Sequence, residues 1–524
     1  MYIRASTSTV SVVMPASAPA RSSSRTEAGA PVNLRDVSSR QTPLMYAAGY
    51  GRAASVRELL RAGADAGMTT ETVDVLARMY IDQEARTQLS QALQGYRTAS
   101  GDTDRPATWA EEQAAIKAQR EFLADEAWQE GLLYGFHPDW LASVQPWWSL
   151  QNGVDKSPDL VVRRPQETLV GKTGGMTALL FAAREGRIDA AKALLDGGAA
   201  IDQRSGDGAT PLVIALLNGH FDLALELIQR GADVNIATDN DGVSPLFALL
   251  QTQWTLKFTN HPQPRAQDNQ QTEHLPVLNA LLDHGADPNV RLKTHLWHLE
   301  WEGKFGMDIT GATPFWRAAL AQDLDAMKAL AAHGADPSIP TTWPEPGMRE
   351  NRQEDGRVAE DSGLPVMPEG WPNAYPIHMA AGGGYLGLGA FQQNNVPNNF
   401  IPSVQFLVEE LKLDVNLPDA WGYTPLHYAA VRGDNALIEY LVSKGADVKA
   451  VTRLGQSVVD MTRGGRNGFF SRTPYPQTEE LLLRLGSEYK CLNTHMRNNG
   501  DWCEGAGVPR FKGALDNTDV VTQF

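Results

Sequence analysis

Four short stretches of this chain read almost alike: Thr42-Pro43-Leu44, Thr210-Pro211-Leu212, Thr313-Pro314-Phe315 and Thr424-Pro425-Leu426-His427. Each opens a small-residue segment, then a Leu-rich segment, and each ends at Gly-Ala-Asp. Thr177 to Thr210 is 33 residues, Thr210 to Ser244 is 34 and Thr424 to Ser457 is 33. A unit this short cannot shelter an apolar face alone. It must share a continuous interior with its neighbours, which restricts the chain to a stacked, elongated architecture.

The repeat has a physical grammar. Thr can cap a first helix (helix A) by accepting from amides of its first turn. The Pro that follows is pre-set for a helix start. Ala-Ala lets helix A lie close to its neighbours, and a Gly ends it at little backbone cost. A second helix (helix B) then carries Leu-Leu inward.

Eight units can be marked, opening at Thr42, Thr177, Thr210, Ser244, Thr313, Tyr375, Thr424 and Ser457. The eighth is degenerate and reads as a cap. Unbroken units take 17 residues from the opening Thr to the inner Leu, whereas unit four takes 37 and unit six takes 32. Extra residues therefore sit between their two helices.

This period, with Thr-Pro-Leu-His and Gly-Ala-Asp-Val-Asn at fixed offset, resembles the ankyrin repeat, in the multi-repeat, insertion-bearing bacterial type. The resemblance implies an all-α fold: an ankyrin-repeat α-solenoid with β-turn fingers and loop insertions. The expected layout is a disordered lead over 1–40, a first repeat over 41–65, and a solenoid over 175–486. Insertions are expected at 251–274, 292–308, 340–373 and 385–402, and a tail over 487–524. Segment 66–174 is a helical insertion or a set of diverged repeats. Thr70 to Gln94 and Trp109 to Leu133 have helical spacing, with Val73, Leu76, Ala77 and Ile81 on one face.

For function the resemblance implies protein–protein recognition without catalysis, by a monomer, on finger tips and the outward side of helix A. Matching finger positions include Asp207, Asn240, Asp241, Ile309, Thr310, Ala420, Trp421, Tyr423, Arg453 and Leu454. Matching helix positions are Arg184, Leu217, Leu320 and Val431. Trp421 with Tyr423 is the expected aromatic anchor.

Composition narrows the partners. The 524 residues carry a net charge of −16, which repels phosphate backbones, so no nucleic-acid partner is expected. No run of eighteen apolar residues occurs, so no membrane insertion is expected. Val10-Ser11-Val12-Val13-Met14 is short for a signal-peptide core, although Ala16-Ser17-Ala18 resembles a cleavage site. The cytosol is the default compartment, with export to the periplasm or outside left open. Cys491 and Cys503 are one terminal disulfide if the chain is exported and two free thiols if it is not.

Chemical motifs are weak, and no cofactor or metal is expected. Gly382, Gly384 and Gly387 fit G-x-G-x-x-G but follow a helix, where an inter-helix loop is due. Gly171-Lys172-Thr173 resembles the end of a P-loop, but Gln166 stands at the first Gly position, so a finger turn is expected. His378 and His427 occupy the fourth motif position, where the family uses His to tie turns together. His284 and His333 sit at helix B ends, where a cation suits the dipole. The rival reading is a metal- or ligand-binding protein, or an enzyme, with a pocket built by inserts. Its best loci are His295, His298, Glu300 and Glu302, or the Trp140–Trp148 segment. A third reading is a scaffold without a single partner. Trp254, Trp297, Trp301, Trp343 and Trp371 also fall in or near inserts, as packing groups or as contacts.

Overall fold

The computed structural model describes residues 31–134, 170–255, 266–294, 296, 309–342, 370–383, 395–453, 455–462, 465–467, 470–472, 474–490, 495–497 and 500–502. It is an all-α solenoid. Unit one is α1 (Pro43–Gly49) and α2 (Ala53–Arg61). Strand β1 (Thr72–Asp74) leads into α3 (Val75–Ser100), α4 (Trp109–Ala124) and α5 (Glu126–Tyr134), and β2 is Lys172–Gly174. Unit two is α6 (Ala178–Arg184) and α7 (Ile188–Asp196), and unit three α8 (Pro211–Leu217) and α9 (Phe221–Gln229). Unit four is α10 (Pro245–Gln253) and α11 (His274–Asp283), and unit five α12 (Pro314–Leu320) and α13 (Leu324–Ala332). Unit six is α14 (Pro376–Ala380) and α15 (Phe400–Gln405), the latter continuing as a π-turn over Phe406–Glu410. Unit seven is α16 (Pro425–Val431) and α17 (Asn435–Ser443). In unit eight helix A shrinks to a 3₁₀ turn, Val459–Thr462, before α18 (Pro476–Arg484).

The opening residue caps helix A as its chemistry dictates. Thr42, Thr177, Thr210, Ser244 and Thr313 accept from the amides of Met45, Leu180, Val213, Phe247 and Trp316 at 3.1–3.3 Å. Where the fourth position is His, the imidazole intervenes instead. Nδ1 of His378 accepts from Tyr375 N at 3.0 Å, and Nδ1 of His427 from Thr424 N at 3.1 Å.

The helices A then stack in order, α1 on α6, α8, α10, α12, α14 and α16, over one contiguous apolar interior. Asn residues clamp the outer loops. Asn235 donates Nδ2 to Gly285 O at 3.0 Å, and its Oδ1 accepts from Asp287 N at 2.8 Å. Asn289 does the same for Gly334 and Asp336, Asn416 for Gly445 and Asp447, and Asn33 for Gly63 and Asp65. An Asn at this place in the loop, where one occurs, is thus the bolt between consecutive units.

Units one and two stack directly through α1 on α6 and α2 on α7. The chain between them leaves and returns at one finger tip. β1 pairs antiparallel with β2, Thr72 opposite Gly174, and Val75 N bonds Gly171 O at 2.9 Å. Helices α3, α4 and α5 pack on one another outside the stack. The helix begins at Val75 rather than Thr70, because residues 72–74 are used as strand. The helical stretch expected from Trp109 to Leu133 is broken at Asp125, whose backbone is extended. Gly171-Lys172-Thr173 belongs to this finger hairpin, so its backbone does not form a phosphate-cradling loop.

Candidate partner-binding surface

Successive fingers are joined main chain to main chain. Gly206 N bonds Gly174 O at 2.8 Å, Asp239 N bonds Asp207 O at 2.9 Å, and Lys293 N bonds Asp241 O at 2.9 Å. Thr342 N to Thr310 O (2.8 Å), Ala420 N to Asn373 O (3.1 Å) and Arg453 N to Trp421 O (2.8 Å) continue the ladder. Several residues expected to meet a partner are therefore first of all rungs that fix finger spacing.

Their side chains divide. Asn240, Thr310, Trp421 and Arg453 are half-buried on or beside the ladder. Three expectations are corrected. Ile309 is fully buried in the core cluster, because an aliphatic side chain at the finger base turns inward. Asp241 is buried and its Oδ1 accepts from Thr238 Oγ1; burial pushes its carboxyl up from the ordinary value, against those bonds. Tyr423 is buried, with its hydroxyl donating to Gln456 Oε1 at 2.7 Å across to the next finger. Of the expected aromatic pair, Tyr423 is buried and Trp421 is half-buried. Leu454 lies outside the described residues.

The helix face divides more sharply. Positions four, seven and eight residues after the opening residue share one side of helix A. In units one to three these are Tyr46, Gly49, Tyr50, Phe181, Arg184, Glu185, Ile214, Leu217 and Asn218, and only Phe181 is buried. Tyr50 is 73% exposed and Tyr46 41%. In units four to seven they are Ala248, Gln251, Thr252, Arg317, Leu320, Ala321, Met379, Gly382, Gly383, Tyr428, Val431 and Arg432, and only Arg432 is not buried. Leu320 and Val431, expected to face outward, are therefore core residues. The helix-A face is open in the first three units and closed in the next four.

Described contacts account for part of the closure. The Arg317 guanidinium lies inside, with Nε donating to Gln251 Oε1 at 2.7 Å and another nitrogen to the Trp254 carbonyl. Burial lowers its pKa to about 9. Asp323 beside it accepts from Trp254 Nε1 (2.9 Å), His274 Nε2 (2.7 Å) and Ala326 N (3.1 Å). Burial works to raise this carboxyl, and those bonds bring it below the ordinary value instead. This His–Asp pair is spent on bolting unit five to the α10–α11 insert and capping α13. Val396 N bonds Ala321 O at 2.9 Å, and Tyr428 donates to Asp419 Oδ2 at 2.6 Å. Of this polar cluster only Trp254 stood out in the sequence, as an aromatic in or near an insert.

The histidines serve the stack. His378 Nε2 meets Leu417 O at 2.7 Å, and His284 and His333 fold Nδ1 onto Ala280 O and Ala329 O at 2.7 and 2.8 Å. Among the described residues no cluster of His, Cys, Asp and Glu could hold a metal, and no helix is long and apolar enough to cross a membrane. His295, His298, Glu300, Glu302, Trp140–Trp148, Trp297, Trp301, Trp343, Gly384, Gly387, Cys491 and Cys503 lie outside the described residues. Trp371, 51% exposed, is at the mouth of the unit-six finger.

Short capped helix pairs, stacked in register and joined by fingers, define a helical-repeat scaffold. The profile for "Ankyrin repeats (3 copies)" matches residues 152–238 and 373–452, and that for "Ankyrin repeat" matches 39–71. The chain thus carries ankyrin repeats, and repeats of this family are protein–protein interaction modules.

Similar curated proteins include Palmitoyltransferase akr1 of Aspergillus oryzae, 41% identical over 58 residues (11% of this chain, 8% of that protein). Palmitoyltransferase akr1 of Emericella nidulans is 30% identical over 109 residues (18% and 14%). Delta-latroinsectotoxin-Lt1a of Latrodectus tredecimguttatus is 42% identical over 55 residues (10% and 4%). The matches thus span 4–14% of the length of these relatives. Among solved structures, the human ASB11 ankyrin repeat domain aligns at 20% identity and a TM-score of 0.37, covering 60% of this chain and 99% of that one.

Proposed function

We propose that this protein docks a partner protein on the concave helix-A face of units one to three, with the half-buried finger-tip side chains Asn240, Thr310, Trp421 and Arg453 as secondary contacts. One observation carries the reading: the partner-facing helix positions are open from Tyr46 to Asn218, save Phe181, and closed from Ala248 to Val431. A closed position has no area left to bury against a partner, and area is what a protein interface is built from. Tyr46 and Tyr50 are the natural anchors, since exposed Tyr offers large contact area at low entropic cost.

Site-specific photo-crosslinking tests it. A photoreactive phenylalanine replaces Tyr50, Leu217, Trp421 or Leu320 in turn, in cells that make the protein. Adducts with one partner are expected at the first two positions, weaker ones at Trp421, and none at Leu320. Equal adducts at Leu320, or none at Tyr50 and Leu217, refute the reading.

A further inference from the structure

The open surface has a charge that the chain as a whole does not. Arg40 stands at the finger end of unit one, Arg52 and Arg187 at the opposite loop edge of units one and two, and Arg184 between them on helix A. All four are exposed. Arg187 keeps its place by donating Nε to Gly49 O at 3.2 Å, and Arg184 stacks 4.9 Å over the Phe181 ring.

Four of the carboxylates nearby are already engaged. Glu185 pairs with Arg184 at 2.9 Å, and Asp239 pairs with Arg204 at 2.6 Å. Asp207 accepts from Ser205 Oγ and Ala209 N. Asp36 is turned into its own loop by Ser38, Ser39 and Gln41. Burial works to raise its carboxyl, and those bonds hold it well below the usual range. At physiological salt, charges more than about 8 Å away are largely screened. A ligand on this face therefore meets four arginines, one of them (Arg184) shared with Glu185, and feels little of the chain's overall net charge of −16.

We propose that the open face of units one and two takes an acidic segment of the partner protein, one that sets carboxylates against Arg52, Arg184, Arg187 and Arg40 and apolar side chains against Tyr46 and Tyr50. The inference rests on the docking surface proposed above and adds the chemistry of its occupant. Guanidinium groups recognise carboxylates as planar forks, and the two tyrosines supply the apolar floor between them.

The probe is a fluorescent peptide of repeated Glu-Glu-Leu-Phe, titrated into the full-length protein beside a matched Lys-Lys-Leu-Phe peptide. The acidic peptide is expected to bind more tightly and to weaken as salt rises. In the double variant Arg52→Glu, Arg184→Glu its affinity is expected to fall at least about fivefold per reversed charge, since reversal replaces an attraction of the exposed-pair kind by a repulsion. Arg57→Glu with Arg61→Glu, on helix B of unit one, changes net charge equally and is expected to leave binding unchanged. Equal binding of both peptides, or an equal loss in the helix B control, overturns the proposal. If crosslinks at Tyr50 persist while the acidic preference fails, the docking surface stands and the acidic occupant falls. Loss of the Tyr50 and Leu217 crosslinks removes the surface itself.

Discussion

Acid should loosen unit six through one imidazole. His378 is fully buried, and its hydrogen bonds fix the neutral tautomer. Nδ1 already accepts from Tyr375 N at 3.0 Å, so the proton must sit on Nε2, facing Leu417 O at 2.7 Å. A second proton would have to point at the Tyr375 amide. Burial accordingly lowers the pKa from 6.5 to about 4, with the Leu417 carbonyl opposing.

The sign follows from linkage. A base depressed in the folded state leaves the unfolded chain holding more protons between pH 4 and 6.5. Stability is therefore full above pH 6.5 and falls as pH drops towards 4. At 1.36 kcal/mol per unit the loss approaches about 3 kcal/mol.

Two neighbours titrate nearby. His427 is lowered to about 4 by burial and adds to the loss, whereas Asp419 is raised to about 7 by burial and opposes it. A comparison with His378→Asn isolates the one group, because Asn can still accept from Tyr375 N but does not titrate. Urea unfolding, followed by far-ultraviolet circular dichroism at pH 7.5, 6, 5 and 4.5, gives the difference between wild type and variant. That difference should favour wild type at pH 7.5 and shrink by roughly 2–3 kcal/mol at pH 4.5. A difference independent of pH would refute the argument.

Asp323→Ala strips a buried carboxylate from Trp254, His274 and the α13 cap, and should cost about 3–5 kcal/mol in urea unfolding, beside the buried Arg317 charge. Asn235→Ala removes both bonds of the clamp between units three and four, and should cost about 1–2 kcal/mol, with amide exchange faster at Gly285 and Asp287 first. Gly219→Ala should destabilise by at least about 1 kcal/mol, because φ is +78° and the new methyl meets the Ala266 carbonyl; a neutral melting temperature would contradict this. Replacing residues 75–171 by Asn-Gly should lower helical ellipticity yet leave cooperative unfolding of the solenoid intact, since β1 and β2 already close the finger; loss of cooperativity would show that α3–α5 support the stack.

The sequence alone determined the unit and its count, because each device that makes a unit is local. Thr before Pro, Gly after helix A and Asn after Gly-Ala-Asp act within a few residues or on the next copy of themselves. The same locality is why a delay in the period reads as an insert. Tertiary structure alone decided which copies of the surface stay open. Ala248, Arg317, Met379 and Tyr428 occupy the same place as Tyr46 and Ile214, and nothing local distinguishes a covered position from a bare one. Cover comes from groups distant along the chain: Trp254 and Gln251 over Arg317, and Val396 over Ala321. Burial of Tyr423 and Ile309 was hidden for the same reason, since accessibility belongs to the neighbours a residue acquires and not to the residue.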